Sequence, residues 1–70
     1  MRNKTRDVLE HLQREGTITS WEAITKYKAT RLSAIIFNLR QKYEIATIMM
    51  ENDEGIRYAK YIYMGELEDD

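Results

Sequence analysis

Residues 29–42 read ATRLSAIIFNLRQK, and the spacing of the apolar residues in this stretch decides the fold. Leu32, Ile35, Ile36 and Leu39 stand at i, i+3, i+4 and i+7, which puts them on one face of a helix. The opposite face carries Arg31, Ala34, Asn38 and Gln41, with Ser33, Phe37 and Arg40 along its borders. One side is suited to packing, and the other holds side chains that reach base edges. Thr30 is the expected N-cap, because its hydroxyl can accept a free backbone N–H of the first turn. The spacing therefore predicts a helix over residues 30–42. Solvated polar faces are common on amphipathic helices, so the flanking sequence has to decide what this one is for.

Upstream, Thr19-Ser20-Trp21-Glu22 fits the capping-box pattern T-x-x-E. A second helix is expected to start near Ser20 and end near Tyr27, with Trp21, Ala23, Ile24 and Tyr27 as its apolar residues. At eight residues it is too short to be stable alone, so it must pack, with Trp21 and Ile24 as the expected anchors. Only Lys28 and Ala29 separate it from the helix at 30–42. Two helices joined by so tight a turn, the second with a clean apolar stripe, make a helix-turn-helix. In that motif the second helix enters the DNA major groove.

Further upstream, residues 3–15 read as the first helix, with Asn3 as N-cap and Gly16 as the stop. Its apolar stripe is Thr5, Val8, Leu9 and Leu12, and His11 is expected at its surface. Thr17-Ile18-Thr19 is β-branched and favours an extended conformation with Ile18 pointing inward. Downstream of Tyr43 the period changes. Residues 44–51 and 56–64 read as strands, and Asn52-Asp53-Glu54-Gly55 has turn chemistry. Either Ala59, Tyr61 and Tyr63 or Ile56, Tyr58 and Ile62 form the buried side of this hairpin. The order helix, short strand, helix, turn, helix, hairpin defines an α+β winged helix-turn-helix domain. It has three helices and a β-hairpin wing, and the 17–19 segment is suited to be a short third strand. The domain is expected over residues 1–64, with residues 65–70 an acidic, fraying tail.

Seventy residues make one small domain of limited core. Without cysteine there is no disulfide or thiolate metal site, and one histidine does not make a zinc site alone. No cofactor is expected. No apolar run approaches the length of a membrane span, which points to a cytoplasmic protein without a membrane partner. Homodimerisation would supply further core area. The net charge of −1 hides an asymmetry: residues 1–43 carry +5 and residues 44–70 carry −6. A basic half is the electrostatic footprint of a phosphate binder, and an acidic half is the opposite.

The stretches Ile18-Thr19-Ser20-Trp21-Glu22-Ala23-Ile24, Ala29-Thr30-Arg31-Leu32-Ser33-Ala34-Ile35-Ile36, Leu39-Arg40 and Ile56-Arg57-Tyr58-Ala59-Lys60-Tyr61 carry a resemblance. With them the chain resembles the small winged helix-turn-helix proteins of bacteriophages and prophages of Gram-positive bacteria, over most of residues 5–63. The resemblance implies a phage-encoded DNA-binding protein, at work in the host cytoplasm. Two departures stand out. Lys28 occupies the turn position where those proteins usually have glycine. The wing loop is short and acidic, where theirs is often longer and basic.

Among the candidate contacts, Arg31 suits guanine and Asn38 suits adenine, each by a bidentate pair of hydrogen bonds. Ser33, Ala34 and Gln41 share the reading surface. Lys26, Lys28, Thr30 and Arg40 are suited to hold phosphates and set register, with Arg2, Lys4 and Arg6 adding contacts from the first helix. Trp21 and the five tyrosines are assigned to packing rather than base stacking. No nucleophile with a plausible base, glycine-rich phosphate loop or paired-ligand spacing points to an enzyme.

Two functions follow from different halves of the chain. The basic half fits a binder of double-stranded DNA, either a transcriptional regulator or an excision-type factor. The acidic half fits a protein-interaction module, in which Glu51, Asp53 and Glu54 bind and inhibit a host protein such as a nuclease or a CRISPR effector. The fold favours the first, although a wing tip usually lies along the phosphate backbone, where carboxylates are repelled.

Overall fold

The computed structural model describes residues 3–67. The elements follow in the order α1 (Lys4–Glu15), β1 (Thr17–Thr19), α2 (Ser20–Tyr27), α3 (Leu32–Leu39), β2 (Tyr43–Glu51) and β3 (Arg57–Glu66). Three helices and one antiparallel sheet of order β1-β3-β2 make the expected winged helix-turn-helix.

The helix starts follow from side chains bonding nearby backbone. Asn3 Oδ1 accepts the Thr5 N–H at 2.9 Å and opens α1. Gly16 ends it with φ 87, a conformation that costs glycine little. Thr19 Oγ1 accepts the Glu22 N–H at 3.1 Å, and Glu22 Oε1 accepts the Thr19 N–H at 3.0 Å. This closes the capping box of α2.

The third helix is shorter than residues 30–42. Thr30 and Arg31 are spent on the turn, so Arg31 rather than Thr30 is the N-cap, and no side chain caps the helix there. At the other end, Gln41 N–H bonds Asn38 O at 3.3 Å and Lys42 N–H bonds Leu39 O at 3.0 Å. These i→i−3 bonds tighten residues 40–42 into a turn.

Every element contributes to one core of Val8, Leu12, Ile18, Ala23, Ala29, Leu32, Ile36, Leu39, Ile45 and Tyr61. Ile35 and Leu9 pack at its margin. Three expectations are corrected here. Trp21 is 52% and Ile24 42% exposed, so neither anchors α2. The helix instead packs through Ala23 and Tyr27, four residues apart, with Trp21 and Ile24 left largely outside the core. His11 is not at the surface: it is completely buried. Its Nδ1 lies 2.7 Å from the Tyr27 hydroxyl, and its Nε2 lies 3.6 Å from Glu22 Oε2. A carboxylate only accepts, which favours a proton on Nε2 and leaves Nδ1 to accept from Tyr27.

In the sheet, Ile18 stands opposite Tyr61, Tyr61 opposite Thr47, and Tyr63 opposite Ile45. The buried face of β3 is therefore Ala59, Tyr61 and Tyr63. Tyr58 and Ile62 are half-buried on the reverse side. Ile56 is outside the strand and exposed, so five residues, 52–56, connect β2 to β3 rather than four. Asn52 organises them: its Oδ1 accepts the N–H groups of Glu54 and Ile56, each at 2.9 Å. β3 continues through Gly65 and Glu66, and the Leu67 N–H bonds Lys42 O at 2.9 Å. The ordered region thus extends past the tail boundary expected at residue 65. Arg2, Glu68, Asp69 and Asp70 lie outside the described residues.

Candidate nucleic-acid interface

The turn between α2 and α3 fixes where the cations stand. Lys28 adopts φ 55 and ψ 31 and is the one non-glycine with positive φ among the described residues. Its N–H bonds Ile24 O at 3.0 Å, while the Ala29 N–H reaches Ala23 O at 2.9 Å. Four residues, 28–31, rather than the expected two, then join α2 to α3, and Ala29 drops into the core. Lysine occupies the position where glycine was the expected residue, and it does so in the left-handed conformation that glycine adopts freely.

Lys4 of α1 donates through Nζ to Lys28 O at 3.0 Å. This contact spans 24 residues and draws α1 onto the turn. As a result Lys4, Lys26 and Lys28 line one groove of about 310 Å³, together with Asp7 and Tyr27. Three ammonium groups against one carboxylate, Asp7, give this groove a net positive charge, which a phosphate contact requires. All three lysines stood out in the sequence, but their meeting in one groove did not, because it depends on how α1 crosses the turn.

On α3, Ser33, Ala34, Phe37 and Asn38 are all exposed, as are Thr30, Arg31, Arg40 and Gln41 beside it. From Leu32 to Leu39 the helix carries no charged side chain. Cations bracket it instead, Lys28 and Arg31 before and Arg40 and Lys42 after. Arg40 is already engaged: its Nε donates to Ile45 O at 3.0 Å and its Nη2 donates to Thr47 Oγ1. Its guanidinium braces the end of α3 against β2. Phe37 was absent from the candidate contacts, yet it is 69% exposed at the centre of this face. The signal was its spacing, one turn from Ser33 and Ala34 and off the stripe of Leu32, Ile36 and Leu39.

The wing carries the opposite charge. Glu51, Asp53 and Glu54 are exposed, and the register sets Arg57 opposite Glu51. Ile48, Met49 and Ile56 are also exposed here. A second groove of about 440 Å³ runs between α1 and the end of α3, with Arg6, Glu10 and Lys42 on its walls. Arg6 and Glu10 are 3.4 Å apart, an i,i+4 ion pair, so the groove mixes both signs. Among the described residues no group of three His, Cys, Asp or Glu side chains could hold a metal ion. No helix there is long and apolar enough to cross a membrane.

A family model for the winged helix-turn-helix domain matches residues 3–66. The chain belongs to this winged helix-turn-helix family. Such a domain is typically a non-enzymatic DNA-binding module, and the α2–α3 pair is the helix-turn-helix of this winged helix protein. No curated protein and no solved structure matches the chain.

Proposed function

We propose that this chain binds double-stranded DNA sequence-specifically, with α3 in the major groove and the α2–α3 turn on the phosphates. The observation that carries this reading is the lysine groove of Lys4, Lys26 and Lys28, formed by α1, α2 and the turn that leads into the exposed, uncharged face of α3. Arg31 reads guanine from the start of the helix, and Asn38 reads adenine one turn from Ala34. Ser33, Ala34 and Gln41 share that surface, and Thr30 adds a phosphate contact. An eight-residue helix is about 12 Å long, enough for one short half-site. A homodimer or a second DNA-bound partner then supplies the remaining affinity. The resemblance to phage proteins supports a regulator or excision-type factor as the biological role.

The test is equilibrium binding to random-sequence duplexes at 50 and 200 mM salt, followed by selection of preferred sites. Neutralising three phosphates gives a slope of log K against log salt near −2.7, so affinity falls about 40-fold across this range. Arg31→Ala costs about 1–3 kcal/mol and relaxes one base position. Failure to bind duplex DNA at low salt overturns the proposal.

A second reading rests on the distal wing, where Ile48, Met49 and Ile56 are exposed beside Glu51, Asp53 and Glu54. Carboxylates with exposed apolar side chains near them fit a basic protein surface, as an inhibitor of a host nuclease or CRISPR effector requires. Reversing the charge at Asp53 and Glu54 abolishes such an interaction. Its persistence after reversal excludes the acidic wing as the contact.

A further inference from the structure

We infer that Phe37, with Ala34 beside it, reads the 5-methyl groups of thymine, so that the preferred DNA site carries A·T pairs beneath the middle of α3. The inference rests on the DNA-binding reading and adds the base chemistry that the helix selects. Three observations lead to it. Leu32, Ile36 and Leu39 are buried and Ile35 half-buried, whereas Phe37 turns outward and is 69% exposed. The phenyl ring is thus the large apolar group of α3 left without the core. Ala34, Phe37 and Asn38 lie at i, i+3 and i+4, so they form one continuous patch of two apolar groups and one amide. Finally, the patch itself carries no charged residue: Arg31 stands one turn before Ala34, at the N-cap position, and Arg40 is bonded to Ile45 and Thr47.

The major groove contains one apolar group for such a patch to meet. Thymine presents its methyl there, whereas a G·C pair presents the guanine N7 and O6 acceptors and the cytosine amino donor. A phenyl ring set against G·C strips water from those polar groups and returns no hydrogen bond. Set against thymine it covers a methyl group. Asn38 alongside is suited to the N6 and N7 of adenine, the partner base of thymine. The middle of the helix therefore favours A·T by both attraction and exclusion, while the lysines of the α2–α3 turn contribute strength without discrimination.

The test uses the whole chain and the site obtained by selection from random duplexes. Each thymine is replaced in turn by deoxyuridine, which lacks only the 5-methyl group and keeps every hydrogen-bonding position. At one or two positions the wild type is expected to lose affinity about fourfold per methyl removed, the ratio that corresponds to one buried CH₂. In Phe37→Ala those positions become insensitive to deoxyuridine, and the salt slope stays as in the wild type. Because Phe37 is exposed, the variant retains the wild-type melting temperature, which a parallel thermal scan checks. Salt-dependent binding with no response to deoxyuridine overturns this inference and leaves the DNA-binding reading standing. So does a selected site with no thymine, or a Phe37→Ala variant that still responds to methyl removal. Absence of binding to any duplex at low salt overturns both.

Discussion

Replacing Lys28 by glycine is expected to make the fold more stable and the protein a weaker DNA binder. Lys28 sits at φ 55 and ψ 31, in the left-handed region. For a residue with a Cβ this conformation costs about 1–2 kcal/mol. Glycine removes the cost but gains about 0.4–1 kcal/mol of freedom in the unfolded chain. The balance, taken at the middle of the two ranges, is a stabilisation of about 0.8 kcal/mol, or about 3–6 °C in Tm for a domain of this size. The turn itself survives, because its bonds run through the backbone: Lys28 N–H to Ile24 O, and Lys28 O from Lys4 Nζ. Circular dichroism melts and urea titrations measure the stability. Salt-dependent binding to duplex DNA measures the other effect, a slope shallower by about 0.9 as one phosphate contact is lost. Lys28→Ala separates the two, keeping the strained turn and losing the charge, so its Tm stays near the wild type while its slope falls. A Lys28→Gly protein that melts at or below the wild-type temperature refutes the reasoning. Stability yielded for binding is a common exchange at functional positions.

Further expectations concern the caps, the buried histidine and the wing. Thr19→Ala removes the acceptor for the Glu22 N–H and is expected to destabilise the fold by about 1 kcal/mol, read as a lower Tm. An unchanged Tm would show that the capping box adds nothing to α2. Tyr27→Phe leaves Nδ1 of the completely buried His11 without its partner. The expected cost is about 1–3 kcal/mol by urea unfolding, and a neutral result would imply that another group takes over. The double variant Asp53→Lys, Glu54→Lys should bind duplex DNA more tightly, with a salt slope steeper by up to about 1.8. An unaltered slope places the wing tip away from the phosphates.

The parts of this fold that could be read from the sequence are those decided within a few residues. Asn3, Gly16 and the Thr19–Glu22 capping box act on backbone groups two to four positions away, so the starts of α1 and α2 and the end of α1 were legible. The apolar stripe of α3 was legible for the same reason. Its ends were not, because the left-handed Lys28 and the buried Ala29 move the reversal forward and use up Thr30. Burial was decided by tertiary packing. The slot against α2 admits Ala23 rather than Trp21, and His11 enters the core because Tyr27 and Glu22 arrive from a different helix. The face of the hairpin waited on β1, since the pairing of Ile18 with Tyr61 selects one of two comparable apolar sides. At the interface, the lysines next to the motif stood out in the chain. The joining of Lys4 to them and the outward turn of Phe37 did not.

Arg40 shows what one side chain does for the molecule as a whole. The sheet ends at β2, a nine-residue strand whose central residues, Ile45 to Met50, carry no charge. Such a strand at a sheet margin is a template on which another chain can add itself. By bonding Ile45 O and Thr47, the guanidinium occupies a backbone acceptor and sets a cation where an incoming strand would align. The residue that the sequence offered as a hook for phosphate thus takes up part of the strand margin on which another chain would add itself.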